Sequence, residues 1–127
     1  MTRVLFVGQV PDTVDFTDRA LPPGLNAEKI QAGIDIAAAK IAERGWKGDL
    51  CMIAPDGAGI AMLEKQLAGA PYDCVVIGAG LRLPPKSLGL FEKVVNAVHK
   101  SAPQCAIAFN TRPEDTAEAA ARWLKTD

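Results

Sequence analysis

A doubly wound α/β domain is what this sequence predicts: a small parallel sheet of four strands in the order 2-1-3-4, with helices on both faces. Three observations predict it. Short apolar runs alternate with stretches whose apolar residues recur every three or four positions, the pattern of strand–helix–strand units. The run Cys74-Val75-Val76-Ile77 has no polar member, as a strand buried on both faces requires. The strands end at turn residues such as Gly8, Pro55 and Gly78, where a chain leaves a parallel sheet to begin its crossover.

In chain order, residues 3–8 form the first strand, closed by Gly8. Residues 9–25 have no periodicity and contain Asp12, Asp15, Asp18, Pro11, Pro22, Pro23 and Gly24; so long a loop covers a site or moves, and it is read as a lid. Asn26 caps a helix whose Ile30, Gly33, Ile34, Ala37 and Ile41 share one face, and Gly45 ends it. Residues 50–54 form the second strand. Asp56 caps the next helix, which carries Ile60, Leu63 and Leu67 and breaks at Gly69-Ala70-Pro71. After the third strand, Ser87 is the expected cap of a helix with Leu88, Phe91, Val94, Val95 and Val98 inward. Residues 104–109 form the fourth strand. Thr111-Arg112-Pro113-Glu114 has the spacing of a capping box with proline in the first turn, opening a helix expected to run to about Lys125. Right-handed crossovers then give a Rossmann- or flavodoxin-like arrangement.

The chain of 127 residues has the size of one domain, read here as residues 1–127. A net charge of −1 without a Lys/Arg cluster excludes a general nucleic-acid binder. No apolar stretch reaches the length of a membrane span and no signal-like region precedes one, so the expected location is the cytoplasm. Cys51, Cys74 and Cys105 are odd in number and each falls in an expected strand, which favours buried reduced thiols; no metal site is expected, because no C-x-x-C spacing occurs and His99 stands alone.

In sheets of this kind ligands bind beyond the carboxyl ends of the strands, where the strand order switches direction. Gly8, Gln9, Val10, Asp56, Gly78, Ala79, Gly80, Arg82, Asn110, Thr111 and Arg112 collect there. The known chemistries fail one by one. Gly78-Ala79-Gly80-Leu81-Arg82-Leu83 has leucine where a dinucleotide fingerprint has its third glycine, and no helix is expected to start there. Gly8-Gln9-Val10-Pro11-Asp12 lacks the small hydroxylated residues of a phosphate cradle, no P-loop occurs, and the third strand ends in glycine where a phosphoacceptor domain needs aspartate. Cys105 is too far along the chain from Arg112 for a phosphatase loop, and His99 belongs at the wrong end of its helix for a triad.

A site of backbone amides and two arginines remains, suited to a small anionic ligand held by Arg82 or Arg112. Thr111 reads first as a helix cap, and Arg82 equally as a partner of Asp15 or Asp18. Any catalytic base would come from Asp12, Asp15 or Asp18. A second reading is a non-catalytic interaction module or homodimer, for which an exposed Trp123 beside Ala119 and Ala120 would supply a contact.

Several segments carry a resemblance: Val14-Asp15-Phe16 with Ala20-Leu21-Pro22-Pro23-Gly24, Ala27-Glu28-Lys29-Ile30, the stretch from Val75 to Arg82, and the stretch from Phe109 to Thr116. Together they resemble a family of short, uncharacterised bacterial proteins. The resemblance implies a Rossmann-like fold, and it transfers no activity and no catalytic residue.

Overall fold

The computed structural model describes residues 1–124. Its sheet has four parallel strands in the order β2-β1-β3-β4, the order expected. They are β1 (Arg3–Gln9), β2 (Lys47–Ile53), β3 (Cys74–Ile77) and β4 (Ala106–Phe109). The helices are α1 (Ala27–Glu43), α2 (Gly57–Ala68), a single turn α3 (Ala79–Arg82), α4 (Leu88–Ser101) and α5 (Thr116–Ala121).

The two-residue period of β1 sorts the core into two layers. Leu5 and Val7, with Cys51, Ile53, Val75 and Ile77, face α2 and α4 through Leu63, Leu67, Val94, Ala97 and Val98. Val4, Cys74, Val76 and Ala108 point the other way, onto Ile41 of α1 and Ala117, Ala119 and Ala120 of α5. Small side chains there let α5 lie close to the sheet. Farther along β1, Phe6 meets Ile34 and Ala37 of α1 in a third cluster, with Ile30 and Met52 at its margin. Burying a side chain of the size of Phe6 or Ile34 stabilises by about 1.5–3 kcal/mol each, which ties α1 to the sheet.

Local signals behave largely as the sequence predicts. Asn26 Oδ1 accepts from Lys29 N–H at 2.8 Å, Asp56 Oδ1 accepts from Gly59 N–H at 3.0 Å, and Gly45 follows α1 at φ +77°, a left-handed conformation that glycine adopts without strain. Several details differ. β2 starts at Lys47, three residues before its apolar run, because Lys47 to Asp49 pair with Arg3 to Leu5 of β1. β4 starts at Ala106, so Cys105 precedes the strand. Ser87 caps nothing: it belongs to a 3-10 turn (Pro85–Ser87) that runs into α4, and its backbone lacks the extended shape from which a hydroxyl reaches forward. Leu88, in the first turn of α4, is 60% exposed rather than inward. A helical turn does begin at Ala79, where none was expected. The last helix ends at Ala121, short of the expected run to about Lys125, a residue outside the described ones.

Among the described residues no helix is long and apolar enough to cross a membrane.

Candidate functional site

The carboxyl ends of β1 and β3 open into a cavity of about 510 Å³ on the face covered by α1. It is continuous with the cluster around Phe6. Phe6 and Met52 form the sheet wall and Ile30, Gly33 and Ile34 the wall from α1; Val14, Leu21 and Leu25 close it from the 9–25 segment. Gly78, Ala79, Gly80 and Leu83 complete the side toward β3, and residues 110–114 the side toward β4.

The structure therefore brings together eight of the eleven residues the sequence placed at this edge; Val10 and Asp56 lie outside the cavity wall. Gly8, Gln9, Gly78, Ala79, Gly80, Asn110, Thr111 and Arg112 all line the cavity. Arg82 does not. One arm of its guanidinium donates to the Asn110 carbonyl at 2.7 Å, and its buried Nε has no protein partner. Nor does Arg82 pair with the acids of the 9–25 segment. Lys86 takes Asp15 directly and stands 3.9 Å from Asp18, and its hydrogen bond holds the Asp15 carboxyl down at about 2.

Asn110 is 1% exposed, and both ends of its amide are in use. Its Oδ1 accepts from Ala79 N–H at 2.8 Å and its Nδ2 donates to Thr116 Oγ1 at 3.0 Å, while that hydroxyl donates to the Pro113 carbonyl at 2.7 Å. Ala79 is the first residue of α3, so its N–H has no intrahelical acceptor; Asn110 caps that turn from the end of the neighbouring strand. The bracket joins the turn after β3 to the turn after β4, and so sets the shape of the cavity floor.

Thr111 is likewise committed. Its N–H donates to Asp115 Oδ1 at 3.0 Å and its hydroxyl to the same carboxylate, which also accepts from Arg112 N–H at 3.4 Å. The acid that closes this turn is thus Asp115, not Glu114, because residues Pro113–Asp115 wind as a 3-10 turn and advance the carboxylate by one position. Burial pushes the Asp115 carboxyl up, but the hydrogen bonds from Thr111 outweigh it and leave the group below its ordinary range.

Few polar groups stay available to a ligand. Gln9 Nε2 donates to the carbonyl and the hydroxyl of Thr13, at 2.9 and 3.1 Å. Lys29 Nζ makes one bond, to the Gly24 carbonyl at 2.8 Å, and keeps two donors. The Arg112 guanidinium has no hydrogen-bond or ion-pair partner among the described residues. Among the described residues Glu114 is the one carboxylate in the wall; Asp12, Asp15 and Asp18, the expected sources of a base, lie outside it. Among the described residues no group of His, Cys, Asp and Glu side chains is arranged to hold a metal ion.

The sequence reading passed over the apolar walls and Lys29. Ile30 and Ile34 looked like ordinary core residues of an amphipathic helix. A signal existed in their register: Ile30 lies one turn before Ile34, toward the end of α1 that meets the ligand edge, and so has less sheet to cover. Trp123 is exposed at 62%, but Ala119 and Ala120, expected beside it at a contact, are fully buried against the sheet. No family model matches the chain, and no curated protein matches it.

Proposed function

We propose that this protein is a cytoplasmic, Rossmann-like domain that binds a small anionic molecule in the cavity at the carboxyl edge of its sheet, beneath residues 9–25. One observation carries the reading: a cavity of about 510 Å³ lies at the switch point between β1 and β3, with Lys29 and Arg112 in its wall. Ligand cavities of this size are common at that place in doubly wound sheets. Arg112, whose fork of donors meets no partner among the described residues, is the anchor for the anion; Arg82 supports the floor behind it. Three unpaired cysteines, two of them buried, suit a reducing compartment.

The test is native mass spectrometry of the purified protein, followed by a melting-temperature screen of nucleotides, phosphorylated metabolites and carboxylates. A co-purified mass, or a melting shift of the wild type that is lost in Arg112→Ala and in Gly80→Leu, supports the reading. Gly80 lines the cavity and a Cβ there meets no atom within 4 Å, so Gly80→Leu adds bulk at the wall from a position with open space around it. No ligand and no shift, with a stable dimer in sedimentation, would favour the interaction module instead.

A further inference from the structure

We infer that the occupant is a single-headed amphiphile, an apolar acyl or aryl body ending in one carboxylate, an assignment that rests on the cavity being the binding site.

The body is indicated by the walls. Phe6, Met52, Ile30, Ile34, Leu21 and Leu83 approach from the sheet, from α1, from the 9–25 segment and from beyond α3, so apolar surface surrounds the cavity. The polar side chains within reach are largely spent on one another: both ends of the Asn110 amide, the N–H and hydroxyl of Thr111, and the Gln9 amino group have protein partners. A nucleotide or a sugar phosphate would bring many donors and acceptors into a place with few to answer them. Each one buried unpaired weakens binding by about fivefold or more.

The head is indicated by the charges. Lys29 and Arg112 line the cavity with Glu114, which leaves one net positive charge, the complement of a monoanion. The planar fork of Arg112 matches the two oxygens of a carboxylate. The volume accommodates such a body: 510 Å³ equals about 17 water volumes at roughly 30 Å³ each, more than about ten non-hydrogen atoms fill.

The experiment is titration calorimetry of the full chain with hexanoate, octanoate and decanoate below their micellar concentrations, with 1-octanol as a body lacking the charge, and with inorganic phosphate and AMP as charges lacking the body. Affinity is expected to rise about fourfold per added methylene. Octanoate should exceed 1-octanol by about tenfold, and Arg112→Ala should abolish that difference while the chain-length dependence persists. Gly80→Leu should weaken every acid. Phosphate or AMP binding that Gly80→Leu removes, with no dependence on chain length among the acids, would overturn the ligand class and leave the site standing. Equal binding of octanoate and 1-octanol would remove the carboxylate head. Silence from every compound here and in the wider screen would take down the site itself.

Discussion

Replacing Asn110 by alanine tests whether the cavity floor is held as described. The side chain is 1% exposed, and its loss strips Ala79 N–H of its acceptor; Ala79 is itself 6% exposed, so water has little access to replace it. An orphaned buried donor costs about 1–3 kcal/mol. Thr116 keeps its bond to the Pro113 carbonyl and loses only the incoming donor, about 0.5–1 kcal/mol more. The expected destabilisation is about 1.5–4 kcal/mol. With a urea slope of roughly 1.5 kcal/mol/M for a domain of this size, the unfolding midpoint should fall by about 1–2.7 M at unchanged slope. Thr116→Val, which removes the shared hydroxyl, should cost about 1–2 kcal/mol, and the double variant should cost less than the two single losses added together, since both act on one bond. A midpoint within about 0.5 M of wild type for Asn110→Ala, or strict additivity, would refute the bracket.

Gly59 and Gly80 should respond in opposite ways to alanine. A Cβ on Gly59 would lie 2.0 Å from the Ala54 carbonyl oxygen, a backbone atom that cannot give way, so Gly59→Ala should cost about 3 kcal/mol or more in urea unfolding; Gly80→Ala meets nothing within 4 Å and should gain about 0.4–1 kcal/mol. Lys86→Ala should release the 9–25 segment without unfolding the protein, seen as faster amide exchange at Thr17 and Leu21 with exchange in β1 and β3 unchanged. The Asp15 carboxyl is depressed to about 2 from an ordinary 3.8, so its contribution is complete above about pH 4 and is lost as pH falls through about 2; wild type and Lys86→Ala should therefore differ at pH 7 and converge near pH 2. Among the thiols, burial pushes Cys74 up to about 12 and also raises Cys51 and Cys105. Cys105 alone is partly accessible, so native protein at pH 8 should lose one thiol to a disulfide reagent, slowly, and all three only on unfolding.

The order of the sheet was legible because its signals are short-range and redundant. Cys74 to Ile77 needed two covered faces, and each strand was followed by helix periodicity, so crossover handedness left few arrangements. The caps at Asn26 and Asp56 were legible for the same reason, since donor and acceptor lie three residues apart. Ser87 and the Thr111–Glu114 pair failed where the chain winds as a 3-10 turn, which moves a carboxylate or hydroxyl by one position and leaves the residue types unchanged. Most positions expected at the ligand edge line one cavity, while the hydrogen-bond partners of their side chains were not legible. Asn110 and Arg82 are polar residues at a ligand edge, but Asn110 Oδ1 and one arm of the Arg82 guanidinium meet partners 31 and 28 residues away along the chain, and nothing local to either announces those bonds. The cavity walls were hidden for the converse reason: Phe6 and Ile34 satisfy the pattern of a closed core, and only the three-dimensional arrangement shows that this cluster is open at one end.

That open end bears on how occupancy would register thermally. The Phe6–Ile34–Ala37 cluster passes into the cavity without an intervening polar layer, so an apolar body placed there would be solvated by the interior of the protein rather than by a separate pocket. Binding would then resemble a last increment of folding, removing hydrocarbon surface from water on both partners. Its imprint is a negative change in heat capacity, which makes the enthalpy of association grow more favourable with each degree of warming.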